Sequence, residues 1–285
     1  MIGSLRVLLA SPYNKKHIFS AFKRFFQWKS IRLGRKLNVR YTLWGDRIWL
    51  LDYDSLQSMW IMYNYILDWE EFKLIENYVN PGDQVMDIGA NVGAYTVWMS
   101  KFISAPGRIH AFEPDEKSFT KLQAHIAVNN MGNLAKATRC ALSDTDGVLN
   151  FTTGLDRLNH ITAEKEANSV SVDSCTLDHY CEMNGISRIA YMKVDVEGFE
   201  YMVLKGAVNL FSSKAVDILQ MEINDTVRHA GVSVEDLLGL LKGYQYSLCR
   251  FDVDSNQLVP IEYYKERENY FAVTDLAGVN SKLRS

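Results

Sequence analysis

From about residue 80 onward, short hydrophobic runs alternate with longer segments in which apolar residues recur at helical spacing. A strand, a helix of roughly ten residues and a further strand are typical of parallel β-α-β units. The predicted strands are Gln84–Ile88, Arg108–Phe112, Ala137–Ala141, Ile189–Val194 and Val216–Ile223, and the predicted helices cover residues 95–102, 117–129, 176–183, 201–211 and 234–241. This order predicts an α/β fold with a mostly parallel sheet between two layers of helices.

Additional segments extend this pattern and set its limits. Residues 148–153 and 169–172 predict strands around a polar loop, and residues 244–250 and 270–274 predict an antiparallel hairpin that closes the sheet. The pattern breaks at Asn80-Pro81-Gly82. We therefore divide the chain into an extension over residues 1–79, a main domain over residues 80–275 and a tail over residues 276–285.

The beginning of the extension is strongly basic. Residues 1–47 hold eleven Lys and Arg residues and one acid, a formal charge of +10, whereas residues 48–285 carry −13. Apolar residues alternate with these cations at near-helical spacing; they are Ile18, Phe19, Phe22, Phe25, Phe26 and Trp28. Either this helix contacts an anionic membrane or a lipid-linked substrate, or its aromatic side chains dock on the domain while its cations face water. The acidic remainder would repel phosphate, so we expect no nucleic acid partner.

A second group of aromatic residues falls between residues 53 and 78. Their spacing near three and four predicts that most of them form a core face packed on the sheet. Aromatic rings with a polar tip also line sugar pockets. This leaves a role in substrate binding open for Trp60 and Tyr63.

The composition indicates an ordinary globular protein, with 47% hydrophobic and 23% charged residues. The longest apolar stretch near the start, Val7 to Ala10, is far shorter than the ~20 residues of a membrane-spanning helix. The four cysteines form no C-x-x-C pair, which predicts a reducing compartment. We therefore expect a cytoplasmic protein, with peripheral membrane contact as the open alternative.

The segment V-M-D-I-G-A-N-V-G-A-Y, residues 85–95, combines a hydrophobic strand, a glycine turn and the start of a helix. A dinucleotide site needs a second glycine in G-x-G-x-x-G so that a pyrophosphate can approach the backbone. Here Asn91 stands at that position, between Gly89 and Gly93, and disfavours a nicotinamide oxidoreductase. S-adenosylmethionine has no phosphate, and the carboxylate of Asp87 suits its ammonium group.

Two further carboxylates follow the next two predicted strands. Glu113, in A-F-E-P, ends the second strand, where it can accept hydrogen bonds from both ribose hydroxyls. Asp144, in A-L-S-D, follows the third strand, where an adenine edge could be recognised. With their neighbours Pro114 and Ser143 and with the glycine turn, they form the predicted cofactor site for S-adenosylmethionine, whose product is S-adenosylhomocysteine.

Five motifs together resemble the FkbM-type group of S-adenosylmethionine-dependent methyltransferases. They are D-I-G-A-N-V-G-A-Y-T (87–96), H-A-F-E-P-D (110–115), A-L-S-D-T-D-G (141–147), T-L-D (176–178) and M-K-V-D-V-E-G-F-E-Y-M-V-L-K-G-A (192–207). The resemblance covers about residues 70–225. It implies a class I methyltransferase (Rossmann-like) three-layer sandwich with seven strands, the last one antiparallel, and O-methylation of a sugar or natural-product hydroxyl.

Methyl transfer to an alcohol needs in-line positioning and a group that removes the hydroxyl proton. The end of the strand Ile189–Val194 faces the reacting methyl group in folds of this type, and Asp195 and Glu197 follow it directly. We predict Asp195 as the base or the ligand of the acceptor hydroxyl, with a further contact to the cofactor, and Glu197 in support. The alternative is that Asp195 caps the next helix. His160, in the polar loop, is an alternative base.

Glu222 and Asn224, at the end of the strand Val216–Ile223, are the predicted acceptor-binding residues. With Asp195 they would offer an oxygen-rich set that suits Mg²⁺. Their spacing matches no recognised metal signature, and the sequence does not favour a metal site.

The function predicted from these residues is S-adenosylmethionine-dependent O-methylation of a hydroxyl on a saccharide, glycolipid or secondary metabolite. The alternative is an inactive methyltransferase-like binding module that its basic N-terminus recruits to membranes. Carboxylates at three strand ends favour the enzyme, because a module without turnover would have no chemical need for them.

Overall fold

The structure of the chain is a computed structural model, which describes residues 8–152, 161–162 and 169–284. Its strands, in chain order, are β1 (Val39–Leu43), β2 (Arg47–Leu51), β3 (Gln84–Ile88), β4 (Arg108–Phe112), β5 (Ala135–Thr138), β6 (Ala141–Leu142), β7 (Gly147–Thr152), β8 (Ile161–Thr162), β9 (Ser169–Cys175), β10 (Ile189–Val194), β11 (Val216–Glu222), β12 (Ser247–Asp252), β13 (Gln257–Pro260) and β14 (Asn269–Val273). Its helices are α1 (Pro12–Lys16), α2 (Ile18–Leu33), α3 (Leu56–Asn64), α4 (Trp69–Tyr78), α5 (Ala94–Met99), α6 (Glu116–Val128), α7 (Leu177–Asn184), α8 (Glu200–Lys205), α9 (Val208–Ser212), α10 (Val234–Gly243) and α11 (Leu276–Lys282), with a 3-10 helix over Asp225–Ala230.

The central sheet has the order β13-β12-β14-β11-β10-β3-β4-β5. Strands β5, β4, β3, β10 and β11 are parallel, and β14 lies antiparallel between β11 and β12. The predicted α/β fold and the predicted antiparallel pairing near the end of the chain are confirmed. The strand order reverses between β3 and β10, and ligands of such sheets bind at this kind of switch point.

The sheet has eight strands where the family resemblance implies seven. The additional strand, β13, pairs antiparallel with β12 at the edge of the sheet. The turn between them is well specified locally: Asp252 accepts hydrogen bonds from the backbone N–H groups of Asp254 and Ser255, and Asn256 adopts a left-handed φ of 53°. Such Asx turns and Asn residues at positive φ are typical of hairpin loops.

A second, smaller sheet has the order β6-β9-β7-β8, and β7 and β9 are antiparallel. These two strands correspond to the additional strands predicted around the polar loop. At the other end of the chain, residues of the predicted tail form α11, whose first turn is capped by Asp275 through a 2.9 Å hydrogen bond from the N–H of Gly278.

The core lies on both faces of the central sheet, because successive side chains of a strand point to opposite faces. Val85 of β3 belongs to one hydrophobic cluster and Met86 to the other. The first cluster includes side chains of the extension, among them Trp28 and Phe72, whereas the second contains Leu204 of the helices on the opposite face. The described part of the extension thus shares its core with the sheet.

Helix α2 attaches to the rest of the chain through one of its faces. Phe25 is 7% exposed and stacks on Tyr63 with a 5.7 Å centroid distance, and the buried Arg24 donates from Nε to the carbonyl of Met62 at 3.2 Å. The neighbouring Phe26 is 66% exposed. Within the three described ranges, no helix combines the length and the apolar character needed to cross a bilayer.

These two neighbouring phenylalanines allow a matched test of how firmly α2 is held. Phe25→Ala should lower the free energy of unfolding by about 3–5 kcal/mol, because it empties a packed position in the core. Phe26→Ala should change it by no more than about 0.5 kcal/mol, since its ring is largely exposed. Denaturant unfolding measures both variants, and equal effects would contradict the docking of α2.

Candidate functional site

A cavity of about 400 Å³ opens at the carboxyl ends of β3, β4, β10 and β11. This volume falls within the range of small-molecule sites. The lining residues come from the ends of these strands, from the small sheet and from the extension; they are Gln57, Trp60, Asn64, Leu67, Asp68, Ile88, Gly89, Ala90, Asn91, Ala94, Tyr95, Phe112, Glu113, Pro114, Asp115, Ser118, Cys140, Ala141, Leu142, Phe151, Lys193, Asp195, Val196, Glu197, Gln220, Glu222 and Asn269. The strand ends of the switch point therefore form its floor.

The turn after β3 brings the backbones of β3 and β10 very close together. Gly89 has a φ of 75°, and a Cβ at this position would lie 1.8 Å from the carbonyl oxygen of Asp195. Asn91 is also left-handed, with a φ of 50°. Gly93 does not line the cavity; it is the N-cap residue immediately before α5. The turn is therefore held close to the backbone of β10, and Asn91 lies at the edge of the cavity.

Glu113 is held at the end of β4 by two backbone groups. The N–H of Asn91 donates to its Oε2 at 2.8 Å, and the N–H of Asp115 donates to its Oε1 at 2.9 Å. Burial raises the pKa of Glu113 to about 7. Each oxygen keeps acceptor capacity beside the cavity, so the carboxylate can receive two hydroxyl groups of a ligand.

Lys193 lies between two carboxylates under the cavity. Its Nζ is 3.0 Å from Oδ2 of Asp195 and 3.8 Å from Oδ1 of Asp87. Burial alone would lower the pKa of Lys193, but these carboxylates outweigh burial and hold the pKa above its ordinary value. The ammonium is therefore a permanent positive charge at this end of the sheet.

Asp87 is fully buried and does not line the cavity. Its Oδ2 accepts a 2.6 Å hydrogen bond from Oγ1 of Thr96, and its Oδ1 has no hydrogen-bond partner among the described residues. Burial raises the pKa of Asp87, and Lys193 opposes that shift. Lys193 is thus the cation that balances the charge of Asp87.

Three carboxylates meet on the other side of the cavity. Side-chain oxygens of Asp195, Glu197 and Glu222 all lie within 4.8 Å of one another. Burial, followed by the charges of Asp195 and Glu197, raises the pKa of Glu222 to about 8. Asn224 lies outside the lining but donates from Nδ2 to Oε1 of Glu222 at 2.9 Å. We refer to Asp195, Glu197 and Glu222 as the carboxylate cluster.

Oxygen donors of this kind suit hard divalent cations. However, the Lys193 ammonium already lies beside Asp195, and its positive charge would oppose a cation bound to the same carboxylate. A proton is the smaller positive charge that the carboxylate cluster can accept, and the raised pKa of Glu222 favours the protonated form of that carboxyl near neutral pH.

The remaining predicted residues occupy different places. Pro114 lines the cavity, whereas Ser143 is buried behind it and Asp144 pairs with Lys205 at 2.9 Å. After β5, the residues that line the cavity are Cys140 to Leu142. His160 lies outside the described residues.

A buried chain of hydrogen bonds, which the sequence patterns do not predict, lies beside the carboxylate cluster. Tyr95 donates to Asp68 at 2.7 Å, Gln220 donates to the Tyr95 hydroxyl at 3.1 Å, and Tyr191 donates to Gln220 at 2.6 Å. Tyr95 belongs to the glycine-turn motif, but no motif marks the other three residues, because four separate segments supply the chain. The polar positions Gln220 and Asp68 next to hydrophobic runs were the available signals.

The extension contributes directly to the cavity. Trp60 of α3 lines it, together with Gln57 and Asn64 of the same helix, whereas Tyr63 is 2% exposed and belongs to the core. Of Trp60 and Tyr63, it is therefore Trp60 that borders the cavity.

The segment that supplies most of the strand ends around the cavity also matches a known protein family. Residues 87–248 match the family model described as the methyltransferase FkbM domain. The chain belongs to this family. The expected resemblance is thereby confirmed, and the protein is a methyltransferase.

Curated relatives of this FkbM methyltransferase differ in how much of their length it covers. The hexuronic acid methyltransferase AglP of Haloferax volcanii is 25% identical over 187 residues, which cover 66% of this chain and 73% of the relative. The methyltransferase sdnD of Sordaria araneosa is 32% identical over 155 residues, 43% of this chain and 59% of the relative. The 31-O-demethyl-FK506 methyltransferase FkbM of Streptomyces tacrolimicus is 35% identical over 75 residues, 26% of this chain and 27% of the relative.

Among solved structures, the methyltransferase FkbM from Methylobacillus flagellatus KT aligns over 77% of this chain and 55% of its own chain, with a TM-score of 0.43 and 15% identity.

The raised pKa of Glu222 makes a prediction about stability. The native state keeps a proton on Glu222 up to about pH 8, whereas the unfolded chain releases it near the ordinary glutamate pKa. Its contribution therefore makes the protein less stable as pH rises between these two values. Glu222→Gln cannot ionise, so at pH 8 it should raise the free energy of unfolding by up to about 4 kcal/mol relative to the unchanged protein.

At pH 5 the same substitution should have a much smaller effect, because pH 5 lies only slightly above the ordinary glutamate pKa and ionisation of the unfolded chain then favours unfolding far less than at pH 8. Denaturant unfolding at both pH values is the measurement. Glu116→Gln is the control, since the Glu116 side chain is 77% exposed. An equal effect of Glu222→Gln at both pH values would show that Glu222 is not protonated in the native state.

Proposed function

We propose that the protein is an S-adenosylmethionine-dependent O-methyltransferase that acts on a hydroxyl of a saccharide, glycolipid or secondary metabolite. The observation that carries this proposal is the single cavity with Glu113 on one side and the carboxylate cluster on the other. One side suits ribose hydroxyls, and the other can take a proton from an alcohol.

The residues around the glycine turn fit the cofactor. Gly89 leaves no space for a side chain between β3 and β10, and Glu113 has two positioned oxygens for the ribose hydroxyls. The cofactor supplies a methyl group on a sulfonium centre that is already activated. Asn91 lies on the rim where a dinucleotide pyrophosphate would need a bare backbone, which disfavours a nicotinamide cofactor.

The carboxylate cluster fits the removal of the hydroxyl proton. Asp195 lies at the end of β10 with its side chain 41% exposed, and its ion pair with Lys193 fixes the position of Oδ2. Glu222 keeps a proton near neutral pH and can donate a hydrogen bond to the acceptor oxygen. Two carboxyl groups in different environments can thus take the roles of proton acceptor and hydrogen-bond donor.

The lining contributed by the extension supports a hydroxylated acceptor. Trp60 offers an aromatic face, and Gln57 and Asn64 offer amide donors and acceptors on the same helix. The names of two relatives specify a hexuronic acid and an O-demethyl natural product as substrates. Because Asp68 and the carboxylate cluster make this end acidic, we infer that a neutral hydroxylated acceptor fits better than one with its own carboxylate.

The cofactor assignment makes a prediction about binding. Calorimetric titration should show micromolar binding of S-adenosylhomocysteine and none of NAD. Glu113→Ala should weaken binding at least about tenfold, because hydrogen bonds to a charged group each contribute about 1.5–3 kcal/mol. Affinity should also fall as pH drops below about 7, since the protonated Glu113 loses acceptor capacity. Glu116→Ala, on the exposed side of α6, is the control.

Binding of NAD in place of S-adenosylhomocysteine would refute the cofactor assignment. Binding of neither ligand by a folded protein would favour the alternative of an inactive module.

The role of Asp195 makes a second prediction. Asp195→Asn should lower methyl transfer to a panel of neutral sugars and hydroxylated metabolites by about 100-fold or more, the usual contribution of a general base. Affinity for S-adenosylhomocysteine should stay within a few-fold, which calorimetry measures. Asp254→Asn is the matched control, because Asp254 is exposed and lies outside the cavity lining.

A collapse of cofactor binding in Asp195→Asn would place Asp195 in the cofactor site and contradict its role as base. A chelator should leave the rate unchanged. A rate that falls with the chelator and returns with Mg²⁺ would assign the carboxylate cluster to a metal ion instead.

A further inference from the structure

Helix α2 has a second apolar face that the rest of the described chain leaves uncovered. Phe19 is 89% exposed, Phe26 66% and Leu33 90%, and Phe22 is exposed at 36%. These positions are three, four and seven residues apart, so they lie along one side of the helix. We call Phe19, Phe22, Phe26 and Leu33 the exposed stripe.

The exposed stripe is distinct from the face that holds α2 in place. The side chains of Ala21, Phe25, Trp28 and Ile31 are buried against the domain. A helix at the surface of a globular protein normally has one apolar stripe, with charged or polar residues opposite. Helix α2 has two, and only one of them is explained by the fold. Exposed apolar surface of this extent marks an interaction site.

The surroundings of the exposed stripe are basic. Lys23 lies on the same side of α2 between Phe22 and Phe26, Arg32 precedes Leu33, and Lys15 and Lys16 lie just before the helix. All four side chains are exposed, and within the described ranges no acidic group pairs with any of them. Arg24 differs, because it is buried and bonded to Met62 and Asn14. Unpaired cations around an apolar stripe fit an anionic, apolar surface.

The distribution of charge in the whole chain favours one orientation. Residues 1–47 carry +10 and residues 48–285 carry −13. Near an anionic surface, the basic end is attracted and the remainder is repelled. A second copy of the chain on the same stripe would bring two sets of cations together. The charge therefore favours an anionic lipid surface over self-association.

We propose that the exposed stripe inserts into the interfacial region of an anionic membrane, with the surrounding lysines and arginines at the headgroups. Helix α2 packs on α3, and α3 supplies Trp60 to the cavity. Membrane contact would therefore be only one helix away from the cavity. This inference rests on α2 itself and does not depend on the proposed function.

Co-sedimentation of the full chain with vesicles tests the proposal. The protein should bind vesicles of phosphatidylcholine with phosphatidylglycerol, more weakly as salt rises, and should not bind phosphatidylcholine alone. The triple variant Phe19→Ser, Phe26→Ser, Leu33→Ser should lower the partition coefficient at least about tenfold, because it removes three large apolar side chains. Its melting temperature and S-adenosylhomocysteine binding should match those of the unchanged protein.

The matched control replaces three exposed apolar residues elsewhere: Val148→Ser, Met183→Ser and Val208→Ser. It should keep full vesicle binding. A second variant, Lys23→Glu with Arg32→Glu, should lose binding to anionic vesicles while the exposed stripe stays intact. Sedimentation velocity of each variant is measured in parallel.

Three outcomes would overturn the proposal. The unchanged protein could fail to bind anionic vesicles, or the triple variant could bind them as well as the unchanged protein does. Alternatively, the unchanged protein could sediment as a dimer that the triple variant dissociates, without vesicle binding. That last result would assign the exposed stripe to contact between two copies of the chain.

Discussion

The ion pairs of one buried lysine organise the active end of this fold. Lys193 faces Asp87 across the β10–β3 register and reaches Asp195 just beyond the end of its own strand. A buried ammonium is stable only when it is paired, so the two strands must keep the register that brings these carboxylates together. Because the strand order reverses between β3 and β10, the same pairs place Asp195 at the switch point, where the cavity opens. The strand register that pairs Lys193 with both carboxylates therefore also positions Asp195 at the cavity.

Burial gives the carboxyl groups of the cavity their different properties. Glu113 is held by two backbone N–H groups, and its pKa is raised to about 7. Glu222 has nearby carboxylates in addition to burial, and its pKa is raised to about 8. The ionised forms of both carboxyl groups are therefore less favourable here than those of exposed glutamates would be. Hydroxyl groups of a ligand would offset this cost at Glu113, and protonation of Glu222 would offset it in the carboxylate cluster. Such a site lowers the stability of the fold but keeps carboxyl groups available to bind hydroxyl groups of a ligand.

The parallel strands and the positions of Glu113 and Asp195 could be predicted from the sequence, because hydrophobic runs define strands and parallel strands end at one edge. That the Asp87 side chain faces Lys193 and does not line the cavity could not be predicted, since Lys193 lies on a strand about a hundred residues later in the sequence. The roles of Trp60 and Asp68 depend on how the extension packs over the sheet, which no local pattern specifies. The strand β13 was missed although its turn residues are present, because its four residues form too short a hydrophobic run.

The two faces of α2 show why a sequence pattern alone cannot assign a surface. Phe25 and Phe26 are neighbours with the same side chain, yet one ring is buried and the other is exposed. A helix that turns by about 100° per residue separates such neighbours onto different faces, and only the packing partner decides which one is covered. Both interpretations of the basic segment are therefore compatible with one helix. Its Phe25 face docks on the core, and its Phe26 face remains available with cations beside it, so docking on the domain and contact with a membrane do not exclude each other.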